Sequence, residues 1–313
     1  MACGVVEENV PIEEQTRALL PAMSDARDQF MELVDAVRPE LHRYCARMTG
    51  SVFDGEDVVQ ESLAKAYFAL GQMVQPPNLR PWLFRIAHNT AMDFLKRYER
   101  RHVEPVADLP ERAEPEETGA DPELVEAALT VFTELPPVQR SAAILKDVLG
   151  HSLDETANAM GTTVGAVKAA LSRARANIAR ATAAQAPKSA HAISVEQQAT
   201  LRRYVDLFNA HDWPSLRALL AQESRLEVVS RVHHERAVDA GYYDRYAAYL
   251  ETEELRAEAG LVDGVGVIAI FSPPHSPRPA YFILLEYSGD RISLIRDFRY
   301  VPYIAKDARY SAL

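Results

Sequence analysis

Between Val103 and Glu126 the chain carries nine acids (Glu104, Asp108, Glu111, Glu114, Glu116, Glu117, Asp121, Glu123, Glu126) against Arg112 alone. Val103–Asp121 adds three prolines, one glycine and no apolar repeat. Such a stretch cannot bury enough surface to fold by itself, so it reads as a flexible linker dividing the chain into separately folded bodies. Basic segments flank it. Arg80–Arg101 holds six bases and two acids, and Thr163–Arg180 holds four bases and no acid. The overall net charge of −11 would argue against a nucleic-acid partner only if it were evenly spread. Affinity for phosphate is set by local basic faces.

Apolar periodicity organises the rest. Phe30, Leu33, Val34, Val37, Leu41, Tyr44, Cys45 and Met48 recur at steps of three and four. Val59–Leu70 and Leu83–Phe94 repeat that pattern, so helices that cover one another's stripes are predicted over 30–102. The predicted division is a tail at 1–29, a helical domain at 30–102, the linker at 103–121, a second helical domain at 122–186 and an α+β domain at 187–313. In the last, an amphipathic helix around Leu201–Phe208 and a shorter one at Trp213–Leu220 precede strand-like runs. These runs are Arg225–Arg231, Val265–Phe271, Ala280–Tyr287 and Arg291–Phe298, with Ser288-Gly289-Asp290 as a tight turn.

The strongest local signal lies at 152–178. Ser152-Leu153-Asp154-Glu155 is a capping box, Gly161-Thr162-Thr163 a turn, and Val164, Val167, Leu171, Ala174 and Ile178 one inward stripe. Lys168, Ser172 and Arg175 share the opposite face, flanked by Arg173. This is a helix-turn-helix whose second helix suits a major groove. In the first block, Arg85, Asn89, Asp93 and Lys96 share a helix face with Trp82 at its base. Basic, amide and aromatic groups together suit capture of unstacked bases.

Other classes are disfavoured. No run approaches the roughly 18 apolar residues of a spanning helix, and the start, with Glu7 and Glu8, lacks a basic leader. Cys3 and Cys45 are too few for a disulfide framework or a zinc cluster, and no catalytic triad or metal spacing occurs. A cytoplasmic protein without metal, cofactor, membrane contact or catalytic residue is expected. The residues alone leave open a DNA-binding regulator using only the helix-turn-helix, and an enzyme whose helical half is regulatory.

Five segments in order narrow the choice: Arg38–Cys45, Glu56–Ser62, Pro81–Asn89, Leu135–Arg140 and Val164–Lys168. Across them the chain resembles bacterial sigma factors of the extracytoplasmic-function group. The resemblance implies two all-α domains and a subunit that directs core RNA polymerase to promoters. Asp57, Gln60 and Glu61 would dock on the β′ clamp helices, and the second block would meet the β flap. Trp82, Arg85 and Asn89, with the Gly71–Leu79 loop, would trap the −10 strand, while Lys96 and Arg97 would hold phosphates. Lys168, Ser172, Arg173 and Arg175 would read the −35 groove, although Ala169 and Ala170 replace the polar residues of many relatives. The C-terminal third, from Tyr204–Trp213 to Ile295–Phe298, is similar to SnoaL-like domains, α+β cones that include enzymes. Sigma factors bearing one use it to modulate the core in cis, through an intramolecular contact or a small ligand. Asp297, His233, His234, Tyr242 and Tyr243 are its candidate polar groups, with Asp297 expected in a salt bridge at an edge rather than in catalysis.

Overall fold

The computed structural model describes residues 12–75, 77–99, 129–184, 193–230, 232–234, 241–289 and 291–313. The acidic stretch 103–121 and the domain junction at 186–187 lie outside the described residues.

The first block is four helices: α1 (Ile12–Asp35), α2 (Arg38–Thr49), α3 (Val52–Leu70) and α4 (Leu79–Glu99). Helix α1 begins inside the stretch read as a tail and brings Phe30 and Val34 into the core. Ser51 caps α3, its hydroxyl accepting from the Asp54 amide at 3.2 Å. A β-carbon on Gly55 would stand 2.6 Å from the Ala46 backbone, so only glycine lets α2 and α3 cross this closely.

The second block comprises α5 (Leu129–Thr133), α6 (Pro137–Ala143, continued by a wide π turn, Ile144–Val148), α7 (Leu153–Met160) and α8 (Val164–Ala184). The capping box forms as read: Ser152 Oγ accepts from the Glu155 amide at 3.1 Å, and Glu155 accepts from the Ser152 amide at 2.8 Å. Gly161 takes a φ of 64°, and Val167, Leu171, Ala174 and Ile178 are buried.

The two helical blocks are not separate bodies. One core takes Tyr44, Met48 and Phe84 from the first and Phe132, Leu135, Ile144 and Leu145 from the second. Within it Tyr44 Oη lies 3.0 Å from His88 Nδ1 and 2.9 Å from Ser141 Oγ, a neutral polar network. Arg140 donates to the carbonyls of Met48, Thr133 and Leu135. The physical reason is area. The apolar surface that either block presents is wider than its own helices cover, and burying the remainder outweighs keeping the blocks apart.

The C-terminal third is one curled seven-stranded sheet among the described residues. It is built from β1 (Leu220–Val228), β2 (Val232–His234), β3 (Arg256–Val262), β4 (Val265–Phe271), β5 (Tyr281–Ser288), β6 (Arg291–Asp297) and β7 (Tyr310–Ala312). The order is β2-β1-β6-β5-β4-β3-β7, antiparallel except where β1 meets β6. Strands β2, β3 and β7 escaped the sequence reading, although Asp263-Gly264, with φ of 51° and 81°, is an Asp-Gly hairpin turn between β3 and β4. Helices α9 (Val195–Asn209), α10 (Trp213–Ala218) and α11 (Tyr242–Tyr249) cover one face, and α12 (Tyr303–Asp307) joins the other.

Side-chain alternation shows what the second face does. Ile268, Ile270, Ile283 and Leu285 point to the helices α9–α11. Their neighbours Val267, Ala269, Phe271, Phe282 and Leu284 share a core with Ala46, Val52 and Phe53 of the first block. The sheet is therefore buried on both faces, one of them against the helical half.

Candidate nucleic-acid interface

Helix α3 carries the acids expected to meet a partner protein, and each already has an intramolecular partner. The Arg296 guanidinium of β6 donates to both Asp57 carboxylate oxygens and, through Nε at 2.9 Å, to Glu227. Burial raises the Asp57 carboxyl above its ordinary pKa against the pull of Arg296, and Glu227 and Asp54 add to the rise. Gln60 donates to Glu56 at 2.6 Å. Glu61 pairs with Lys65 at 2.8 Å and with Arg97 at 3.1 Å. Against its partial burial, those two cations hold the Glu61 carboxyl below the usual range.

Around Asp57 lies a set of contacts that the sequence reading missed. Arg38, only 4% exposed, donates to Tyr303 Oη at 2.6 Å, Ser230 Oγ at 2.7 Å and Glu56 Oε1 at 2.6 Å. Tyr303 donates in turn to Glu56 at 2.8 Å. Arg43 reaches Asp307 at 3.4 Å, and His42 Nδ1 lies 3.6 Å from the same carboxylate. The Val52 amide, one of the unpaired donors at the start of α3, donates to Asp263 at 3.1 Å. Phe53 meets Phe298 and Phe282 at ring distances of 5.1 and 6.2 Å. The start of α3 is thus enclosed by the C-terminal domain.

On α4, Trp82 is half-buried against the helical core rather than presented whole to solvent, while Arg85 and Asn89 are exposed. Lys96 lies 3.7 Å from Asp93, and Arg97 is engaged with Glu61. The loop after α3 exposes Met73 and Val74. The Arg85 guanidinium comes within 3.7 Å of where a β-carbon on Gly161 would stand, beside the turn of the helix-turn-helix. A second link ties α4 to α2 and to the residue before the α7 cap. Arg80 forks onto Glu40 at 2.6 and 3.1 Å, and its Nη2 lies 3.0 Å from His151 Nε2.

On α8, Lys168 is exposed and Ser172 and Arg173 are half-exposed. Arg175 departs from the expected outer face: it is bidentate to the buried Asp147, at 2.7 and 3.1 Å, and braces α8 against the π turn. Lys168, Ser172 and Arg173 each keep some solvent exposure.

In the C-terminal domain, Asp297 is fully buried and points among the aromatic side chains between sheet and helices, rather than lying at an edge. Tyr242 and Tyr246 donate to it at 2.8 and 3.0 Å, and Arg299 completes the expected salt bridge at 2.8 Å. The Arg299 guanidinium also stacks 4.0 Å from the Tyr246 ring centre. The Arg299 amide donates to the other Asp297 oxygen at 3.0 Å, so this carboxylate is held by donors on both oxygens. His233 and His234 fall on β2, and their side chains lie outside the described residues. Among the described residues no group of three or more His, Cys, Asp or Glu could hold a metal, and no helix is long and apolar enough to cross a membrane.

Comparison with known proteins agrees with this layout. Residues 33–101 match sigma-70 region 2, and residues 126–178 match sigma-70 region 4. The ECF RNA polymerase sigma factor SigG of Mycobacterium tuberculosis is 33% identical over 230 residues, spanning 65% of this chain and 62% of SigG. SigM of the same species is 30% identical over 169 residues, 53% of this chain and 85% of SigM. Among solved structures, that of the M. tuberculosis extracytoplasmic function sigma factor SigJ aligns with 85% of this chain and 95% of its own, at 22% identity and a TM-score of 0.34. With regions 2 and 4 in sequence and SigM matched over most of its length, the chain belongs to the extracytoplasmic-function family of RNA polymerase sigma factors.

Proposed function

We propose that this chain directs core RNA polymerase to specific promoters, and that its C-terminal domain holds it in a closed, inactive form. The chemistry of transcription belongs to the polymerase in the cytoplasm. The chain contributes binding energy: Asp57, Gln60 and Glu61 to the β′ clamp helices, and the second helical block to the β flap. Trp82, Arg85, Asn89, Lys96 and Arg97 serve the melted −10 strand. Lys168, Ser172 and Arg173 enter the −35 major groove, where a good bidentate base contact is worth about 1–3 kcal/mol of discrimination. Arg175 joins them only if it leaves Asp147.

Two promoter elements 25 base pairs apart stand roughly 85 Å from each other along B-form DNA. With Arg85 against the Gly161 turn, α4 and α8 cannot engage both at once. The observation that carries the closed-form reading is the Arg296–Asp57 pair, which occupies the acid expected to dock on polymerase. The buried Asp297, bound by Tyr242, Tyr246 and Arg299, supports a domain that acts by contact rather than by catalysis.

The test is transcription by reconstituted polymerase on genomic fragments, with the full chain and with Arg296→Glu. The variant sets a third acid beside Asp57 and Glu227 and is expected to raise core binding and transcript yield several-fold. Asp57→Arg with Glu61→Arg should abolish both. A chain that never associates with core enzyme at any salt concentration, in either form, would overturn the proposal.

A further inference from the structure

His151, between the π turn and α7, is where the second helical block presses into the first. Gly150 before it takes a φ of 71°, and the His151 amide donates to the Leu145 carbonyl at 3.0 Å. The residue is only 3% exposed. Its ring crosses that of Phe84 on α4, with centres 4.7 Å apart and planes at 78°. The charged groups around it come from three helices. Arg80 of α4 lies 3.0 Å from Nε2, Glu40 of α2 lies 3.9 Å from Nε2, and Glu155 of α7 lies 3.9 Å from Arg80 Nη1. Glu40 is itself bound by the Arg80 fork.

A guanidinium donates and cannot accept, so Nε2 accepts and the neutral ring carries its proton on Nδ1. That buried Nδ1 has no hydrogen-bond partner among the described residues. An N–H left unpaired in a core weakens the joined blocks, and an apolar ring of similar shape would spare them that cost. Protonation is worse, because it aims a second N–H from Nε2 at Arg80, cation against cation. Burial first and Arg80 next hold this ring below the ordinary histidine pKa, and Glu40 and Glu155 offset them only in part.

We propose that His151 makes the contact between the helical blocks a proton-operated latch, closed while its ring is neutral and released when the ring is protonated. Parting the blocks returns the ring to water, where it titrates near about 6.5. The joined form is therefore favoured in full above that value and loses ground as pH falls, by up to about tenfold per pH unit for each proton taken up. His88, buried in the same seam, adds a second proton, but its partners Tyr44 and Ser141 are uncharged and burial alone sets its response. Arg80 sets that of His151, which makes the two separable. Freeing Arg85 from the Gly161 turn is what release would do for promoter binding; that consequence rests on the closed-form reading above, whereas the latch does not.

The experiment is native-state hydrogen exchange of the full chain between about pH 7.5 and about pH 5, corrected for intrinsic rates and read at the amides of α6 and the π turn. It is paired with nitrogen NMR of the histidine rings, and neither readout needs polymerase. At neutral pH the His151 ring should be neutral with its proton on Nδ1, and protection in α6 should fall with acid. His151→Gln, which keeps an acceptor for Arg80, should lose one proton from the slope, up to about tenfold per pH unit. Arg80→Gln leaves Glu40 and Glu155 facing the ring and should shift its titration upward. An imidazolium or an Nε2–H ring at neutral pH in the wild type overturns the proposal whether or not a variant folds. So does a slope that His151→Gln leaves unchanged. A ring that titrates no higher in Arg80→Gln overturns the part given to Arg80.

Discussion

Against the second helical block, the first presents Tyr44, Met48 and Phe84 and a neutral hydrogen-bonded set, Tyr44, His88 and Ser141. Against the C-terminal sheet it presents a smaller apolar patch around Phe53, ringed by Arg38–Glu56, Arg43–Asp307 and Arg296–Asp57. The first seam depends mainly on apolar area and on buried hydrogen bonds, which salt scarcely affects, with Arg140 to the Met48 carbonyl and Arg80 to His151 as its charged donors. The second depends in part on ion pairs, whose partly exposed members are screened. Under the proposed function both contacts part for promoter binding, and they are separable by conditions: acid acts on one, salt on the other.

The largest effect is expected at the buried end of the ionic ring. Glu56→Ala leaves Arg38 without its carboxylate in a site where both partners are nearly inaccessible. Removing one partner of such a pair costs roughly 3–5 kcal/mol. Urea unfolding followed by tryptophan fluorescence should show the C-terminal seam failing at markedly lower denaturant; an unchanged midpoint would put the seam's strength in Phe53 instead.

Acid should act on the helical seam by a comparable amount. Burial lowers the His88 pKa from 6.5 to about 4. Between those values the unfolded chain takes up a proton that the folded chain refuses, so stability is full above about 6.5 and falls as pH drops. The loss approaches about 3 kcal/mol near pH 4. His88→Gln should flatten this slope in thermal melts. At the other seam, His42, Arg43 and Arg47 outweigh burial and hold the Asp307 carboxyl below its ordinary range. That contribution is present above the ordinary carboxylate pKa and is lost only as pH falls through the lower, folded value. If acid released the C-terminal domain before the helical blocks parted, the contrast would be wrong.

Salt should have a smaller effect. The Arg296–Asp57 pair is partly exposed, so screening it is worth about 1 kcal/mol or less. Limited proteolysis at rising sodium chloride should open the C-terminal seam while hydrogen exchange in α6 stays constant. The smallest effect on stability belongs to Arg85→Ala, within about 0.5 kcal/mol for an exposed side chain. Under the proposed function the same variant should still impair strand opening, which permanganate footprinting of the −10 region would measure.

Local chemistry explains what the sequence made legible. The capping box at Ser152, the turn at Gly161 and the stripe from Val167 to Ile178 are set by neighbours within one or two helical turns. Strand β4 was readable for the same reason. The seams were not, because Arg296 and Asp57 are 239 residues apart and each reads alone as a surface charge. A signal did exist in β4 and β5. Val267, Ala269, Phe271, Phe282 and Leu284 make the strands apolar on both faces, and an antiparallel sheet open to water on one side would alternate. That excess predicts a cover. Arg175 was misplaced because helical spacing assigns a face but cannot see Asp147 on the π turn beside it.

The Asp263 carboxylate reaches across from a hairpin tip to the Val52 amide, where α3 begins. A helix start satisfied by a distant loop is secure only while that loop stays in place, and an N-terminal acceptor is worth about 0.5–2 kcal/mol. If the sheet departs, as the proposed function requires, the Val52 amide is left to water and the opening turn of α3 keeps only its Ser51 cap, just ahead of Asp57. Whatever docks there next gains most if it brings an oxygen of its own to the vacated amide.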